Sequence, residues 1–368
     1  MLDPVIDFFR RLVSAIGRGI AWVLAMLLSP FRAMGRWYGD RGLMLKAIVG
    51  AILLLFVGLY GYFIYQTQRW SNFDIGYAEV YEPKQPNTGL AGARLAEGTC
   101  APSAIVTATS DLIDFNVNDN AWISSMILYK LGLFGMDWDN TPFLDNKASF
   151  QRGVNQAIRR TAVELVDTLG RVRGTSQVDG DLQEARGYTQ FDEETWYFSI
   201  RPFGPTTPTP AFYRRAMTSL GKFNTRLEAC NAVFDARSDN LIQFLDRIAS
   251  DVGSTSAILR DRSENYNGGW FDPRADDRFW FAYGQLYGYY GIIKAAHRDF
   301  AEVIAQRNLG QLWESTEEQL AAALKIQPWI VSNGKESGWI MPTHLATMGF
   351  YVLRFRSNLV EIRGILDR

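Results

Sequence analysis

Apolar residues along this chain form one unbroken run and then a series of stripes at helical spacing. From Ala47 to Gln68 the sequence AIVGAILLLFVGLYGYFIYQTQ carries no charge over 22 positions. At about 1.5 Å per residue, roughly 20 apolar residues cross the hydrocarbon core of a bilayer. Tyr60, Tyr62, Tyr65 and Trp70 gather at its C-terminal end, where interfacial aromatics belong. The run predicts a transmembrane helix over 47–68 rather than a buried core helix. It starts too late for a signal peptide, and FIYQTQRW is a poor cleavage region, so an uncleaved anchor is expected.

Upstream, Val5, Phe9, Leu12, Ile16 and Ile20 recur at helical spacing, with Asp7, Arg10, Arg11, Ser14 and Arg18 on the opposite face. This predicts a basic amphipathic helix over 3–29, suited to lying on an anionic membrane surface. Packing on a partner protein and a second membrane span are the alternatives. The uncharged stretch Gly19–Phe31 is only 13 residues long, and Pro30 should end or kink the helix.

Downstream, residues 71–99 are rich in Gly, Pro, Asn and Glu and read as an extended linker. From Cys100 the pattern turns helical. Short helices are expected over Ala104–Phe115 and Ala121–Leu133, and a long one over 148–172 carrying Phe150, Val154, Ile158, Leu165 and Leu169. A polar stretch with several Gly and Pro follows, and WYFSI (196–200) is the best strand signal. Thr209 and Pro210 then read as the N-cap and first turn of a helix whose stripe is Leu220, Phe223, Leu227, Cys230 and Phe234. Leu241, Phe244, Leu245, Ile248 and Val252 continue it after a break near Asp235. The last third reads as three more helices: about 274–306 after Asp272-Pro273, one through Leu312, Leu320 and Leu324 ended by Pro328, and a final one opened by Pro342. Asn333-Gly334 is a turn signal.

The expected fold is therefore mainly α: a basic segment 1–46, one transmembrane helix, a linker, and a helical bundle over 100–368, divisible into sub-bundles 100–174 and 209–368. At 47% hydrophobic and 14% aromatic the chain can build a sizeable core.

Charge sets the orientation. Residues 1–46 carry seven Lys/Arg against three Asp, and the remainder 31 against 36 acids. Arg32, Arg36, Arg41 and Lys46 precede the run and only Arg69 closely follows it, which places the N-terminus in the cytoplasm and residues 71–368 outside it, which in a bacterium means the periplasm. The mildly acidic bulk argues against nucleic acid as a partner.

Candidate chemistry is sparse. Cys100 and Cys230 fall in the predicted outer part, where a disulfide can persist, and a bridge between them is favoured over two separate buried thiols. No C-x-x-C spacing suggests zinc, and no metal or cofactor is expected. His297 and His344 are best read as structural, with His344 one turn into the last helix. Asp137, Asp139, Asn140, Asp145 and Asn146 resemble an oxygen-rich calcium loop, but lack the later ligands and the glycine of an EF-hand. Asx turns and helix capping explain them, and Asp179-Gly180-Asp181 likewise. Asp192, Glu193 and Glu194 beside Trp196 suggest a glycosidase-like pocket only weakly, since the second carboxylate cannot be placed. The aromatics Phe279, Trp280, Phe281, Tyr287, Tyr289 and Tyr290 are expected mostly in the core rather than along a glycan groove. No nucleotide-binding loop, nucleophile elbow or H-E-x-x-H helix is present. The polar signatures around Asp139, Asn140, Asp145, Asn146, Asn333 and His344 form the candidate binding surface.

The stretches NVNDNAW (116–122), DNTPFLDN (139–146), FQRGV (150–154), DGDL (179–182), ADDRFWFAYG (275–284), HRDF (297–300) and VSNG…MPTHL (331–345) resemble an uncharacterised family of bacterial inner-membrane proteins, a domain of unknown function. The resemblance covers most of 100–368. It implies a proteobacterial host and an envelope location, and no reaction. The expected role is a binding or scaffolding component of the inner membrane and periplasm, with the lipid bilayer and an envelope protein as partners. A cell-envelope hydrolase or glycan-binding enzyme using acids such as Glu194 or Asp181 is the alternative.

Overall fold

The computed structural model describes residues 3–82, 90–95, 98–171, 178–269, 272–335 and 341–368. Met1–Tyr62 and Phe63–Arg368 are separate compact units. The first holds α1 (Asp3–Gly39) and most of α2 (Leu43–Gln68). Of the two outcomes expected at Pro30, an end or a kink, the end does not occur: α1 continues through it. Proline removes one backbone donor, which a long helix survives, and the Ser29 hydroxyl next to it donates to the Met26 carbonyl. The stretch Arg10–Gly39 of α1 and the whole of α2 are both long and apolar enough to cross a membrane, by length and composition.

The second unit begins inside α2. Phe63 and Thr67 are buried, whereas the apolar side chains of α2 before them are mostly exposed. The segment read as a linker is packed over its first part. Trp70, Phe73, Ile75 and Tyr77 lie against the core, and Ala78 and Tyr81 are within it. Tyr77 stacks on Tyr287 and donates a 2.6 Å hydrogen bond to the Tyr287 carbonyl. Aromatic burial outweighs the loop composition here.

Among the described residues the domain is helical. α3 (Ala104–Asp114), the short α4 (Ile127–Leu131), α5 (Asn146–Glu164), α6 (Gly180–Thr189), α7 (Thr209–Glu228), α8 (Ser238–Asn265), α9 (Ala275–Asp299), the short α10 (Ala301–Gln306), α11 (Gly310–Leu324) and α12 (His344–Leu366) follow in order. A two-stranded hairpin, β1 (Phe198–Ile200) with β2 (Phe203–Pro205), pairs Ser199 with Gly204. The helix expected over Ala121–Leu133 forms only at its end. α6 was not foreseen in the polar stretch. It starts because the Asp179 carboxylate caps it, accepting from the backbone N–H groups of Asp181 and Leu182. α7 begins at Thr209 rather than being capped by it: the Thr209 hydroxyl accepts from Thr195 N and donates to the Asp192 carbonyl.

One hydrophobic core runs from α3 through α5, α7, α8 and α9 to α12. α9 is its centre, with Phe279, Tyr283, Tyr287 and Tyr289 fully buried. Asp251 of α8 satisfies the polar tips around it, accepting from Gln156, Gln285 and Tyr289 at 2.6–2.7 Å. Cys100 and Cys230 are joined by a disulfide, their Cα atoms 5.3 Å apart.

Candidate functional site

The residues of interest surround the N-terminal turns of α9, and small residues explain how they get there. α5 and α9 cross at Gly153, Gly284 and Gly288. A Cβ on Gly153 would stand 2.0 Å from the Phe281 carbonyl, and one on Gly284 would stand 2.1 Å from that of Phe150. Backbones this close bring the first turn of α5 beside the first turn of α9.

There, carboxylates from three elements meet. Asp139 lies in the short 3-10 turn Trp138–Asn140, Asp145 immediately precedes α5, and Asp277 is in the first turn of α9. One oxygen from each lies within 4.8 Å of the other two. Asp145 is fully buried, and neither of its oxygens receives a donor among the described residues. It is not the helix cap its position suggests, since its side chain makes no capping bond. Tyr129 donates to Asp139 at 3.2 Å and Ser149 to Asp277 at 2.8 Å. Asp276 is buried alongside. The Asn146 amide, oriented to satisfy both ends, donates to Asp276 at 3.0 Å and accepts from the Trp280 indole at 3.2 Å. Asn140 is exposed and stands apart from this network.

The electrostatics follow from burial and like charge. Burial first, then Asp277 and Asp276, raise the Asp145 carboxyl well above the ordinary carboxylate range. Asp276 is pushed up to about 8 by burial and by Asp277. Burial also raises Asp277, opposed by its bond from Ser149. The two helix N-termini favour negative charge here, which partly offsets the repulsion.

Asn333 and His344 belong to a different arrangement. The Asn333 amide donates to the carbonyls of Arg262 and Tyr266 and to Asp272, all at 2.9–3.0 Å. Arg262 grips the same Asp272 with two nitrogens and stacks over the Tyr266 ring at 4.1 Å. Burial works to raise Asp272, but the bonds from Arg262 and Asn333 outweigh it and hold the carboxyl below its ordinary value. His344 is the first residue of α12, not a turn inside it. Its Nδ1 accepts from Ser332 N at 3.0 Å, and burial lowers its pKa. Thr343 caps the helix, its hydroxyl accepting from Ala346 N. The signature at 139–146 thus meets Asp276, Asp277 and Trp280, and that at 333–344 meets Asp272 and Phe279. Both converge on the start of α9, but on different residues of it.

Of the other acids named from the sequence, Asp179, Asp181, Glu193 and Glu194 are held by arginines, whereas Asp192 accepts from Glu194 N and the Thr195 hydroxyl. Arg226 binds Asp179 and Asp181 at 2.6–2.7 Å. Arg152 pairs with Glu194, and Arg159 with Glu193. His297 meets Glu317 at 2.9 Å. Sequence reasoning missed the contribution of Asp277, which arrives from more than 130 positions downstream. It also missed a cavity of about 510 Å³ lined by Trp70, Trp280, Trp329, Phe143 and Asn146. Only the clustering of Asp276, Asp277 and Trp280 near a helix start hinted at either.

Residues 114–268 match the model of a family described as an uncharacterized protein conserved in bacteria (DUF2333). The stretches at 116–122, 139–154 and 179–182 lie within that match, and those at 275–284, 297–300 and 331–345 lie beyond it. No curated protein and no solved structure matches the chain.

Proposed function

We propose that this chain is a membrane-anchored bacterial envelope protein, with α2 as its span and the domain from Phe63 onward as a binding or scaffolding platform on the outer face. One observation carries the reading. The loop that covers Phe63 near the end of the apolar run, where Trp138 packs on it at 4.8 Å, exposes Leu131, Phe134, Met136 and Phe143. Phe134 is 81% exposed. Apolar side chains clustered beside the last turns of a membrane helix partition into the interfacial layer of the bilayer, where they are not exposed to water.

The direction follows from charge. Four basic residues stand just before the apolar run and one just after it. The Cys100–Cys230 disulfide suits an oxidising compartment. Although Arg10–Gly39 of α1 is long and apolar enough to cross by length and composition, its uncharged stretch between Arg18 and Arg32 is only roughly 20 Å long against the roughly 30 Å hydrocarbon core, which favours a position on the cytoplasmic leaflet. The binding role is supported by the signature at 139–146, whose Asn146 lines the cavity of about 510 Å³ with Trp70, Trp280 and Trp329; Asn333 and His344 are instead engaged in holding loops together.

The test is affinity purification of the full-length protein, crosslinked in native membranes and read by mass spectrometry. A reproducible near-stoichiometric envelope partner is the expected result. Extraction of the chain from membranes by alkaline carbonate contradicts the anchor. Turnover of cell-wall fragments by the partner-free protein transfers the reading to an envelope hydrolase.

A further inference from the structure

We infer that Asp139, Asp145 and Asp277 form a site for one hard divalent cation, of the calcium or manganese class. The argument is geometric. Calcium–oxygen bonds run about 2.3–2.6 Å, so two ligands on opposite sides of one ion lie roughly 5 Å apart. Three carboxylate oxygens mutually within 4.8 Å are therefore spaced to share a single ion. All three ligands are oxygens on carboxylates, the donor set that hard cations select.

Asp145 supplies the independent observation. A buried carboxylate is stable only when it is hydrogen-bonded, paired with a cation or protonated. Asp145 has no exposure and no donor to either oxygen among the described residues, yet it points at two other carboxylates. A fold that gathers these groups across a glycine-lined helix crossing leaves two ways to balance them: a cation among the three, or a proton shared between Asp145 and Asp277.

Arg152, Arg274 and Arg278 line the adjoining cavity of about 90 Å³, together with Asp139 and Asp277. The Arg152 guanidinium is already engaged by Glu194 at 2.9 Å and lies near Glu193. Arg274 and Arg278 are exposed to water, where their charge is screened. Lys147, next to the site in sequence, turns away and donates to the Gln66 and Arg69 carbonyls. Asp276 adds a fourth carboxylate, occupied by Asn146. The cavity has room for water to complete the coordination shell.

The arrangement also explains why sequence alone did not disclose the site. Asp139 and Asp145 are two ligands of a loop that lacks its closing ligand, and α9 brings that ligand from outside the loop.

The experiment uses the full-length protein in detergent, stripped with chelator and titrated with terbium as a calcium probe. Tyr129, hydrogen-bonded to Asp139, sensitises the bound ion. The expected result is saturable emission at one equivalent, displaced by calcium, with a rise in melting temperature on calcium addition. Asp139→Asn and Asp277→Asn each weaken binding by about tenfold or more, because affinity follows the number of charged ligands. Asp139 is half-buried, so its variant tests the site with little risk to the fold. Two results overturn the inference: no saturable binding by the wild-type protein up to millimolar calcium or terbium, or binding that is unchanged in both variants. Either one leaves the shared proton as the balance of charge.

Discussion

The ring of Phe63, near the end of the long apolar run, lies against the ring of Trp138, their centroids 4.8 Å apart, and both side chains are fully buried. The Trp138 indole is fixed from the other side by a 2.7 Å bond to the Leu128 carbonyl. The domain therefore starts before the apolar run stops. Truncating Phe63 to Ala removes a buried aromatic and should cost about 3–5 kcal/mol of domain stability. Denaturant unfolding followed by Trp fluorescence measures it. A loss below about 1 kcal/mol would mean the two rings do not pack as described.

The α5–α9 crossing makes opposite predictions for two glycines. Gly284→Ala places a Cβ against the Phe150 carbonyl, forces the helices apart, and should destabilise by about 1–3 kcal/mol or more. Gly221→Ala, in the interior of α7 with nothing near its Cβ, should stabilise by about 0.5–1 kcal/mol. Thermal melts of the two variants, run side by side, should move in opposite directions.

Asp299, the last residue of α9, is buried and receives donors from Ser103 Oγ, Ala104 N and Ile105 N at 2.7–3.0 Å, holding the start of α3. Burial dominates those bonds and pushes its carboxyl up to about 6 from an ordinary 3.8. The folded protein thus binds this proton more tightly than the unfolded chain. The stabilisation from the protonated form is fully present below about pH 4 and is lost as pH rises through about 6, amounting to at most about 3 kcal/mol. In Asp299→Asn this increment is missing. The stability difference between wild type and variant should be larger at pH 4 than at pH 7 in urea titrations. Equal differences at both would refute the shift.

The Cys100–Cys230 disulfide closes a loop with a sequence separation of 130. The chain-entropy model gives about 5 kcal/mol for a loop of that length. Reduction of the purified protein should lower its melting temperature markedly, and Cys100→Ser with Cys230→Ser should reproduce the drop without reductant. No response to reductant would show the bridge to be dispensable.

Helix content was legible where one face of a helix is apolar. The stripe Leu345, Met348, Val352, Phe355, Leu359 and Ile362 marks α12, and all six are buried. It was illegible where long-range contacts decide. Tyr77 and Tyr81 sit in a stretch whose glycines and prolines read as linker, and only the aromatic face of α9 makes them core. Asn333 was legible as a turn residue, but its bonds to Arg262, Tyr266 and Asp272 come from the end of α8 and the segment after it, more than 60 positions away. Asp145 read as a cap, and what removes it from that role is the approach of Asp277 from another helix. Local chemistry reports on neighbours within a few residues, and a site built by helix crossing has none of its geometry there.

The central claim is that α2 alone crosses the membrane, with the domain on the outer face. Reporter fusions at Arg368 test it most directly: alkaline phosphatase, active only outside the cytoplasm, and green fluorescent protein, fluorescent only inside when exported unfolded. The account predicts an active phosphatase fusion and a dark fluorescent one. The reverse pattern would place the domain in the cytoplasm, with α1 and α2 crossing as a pair or neither crossing, and would contradict it.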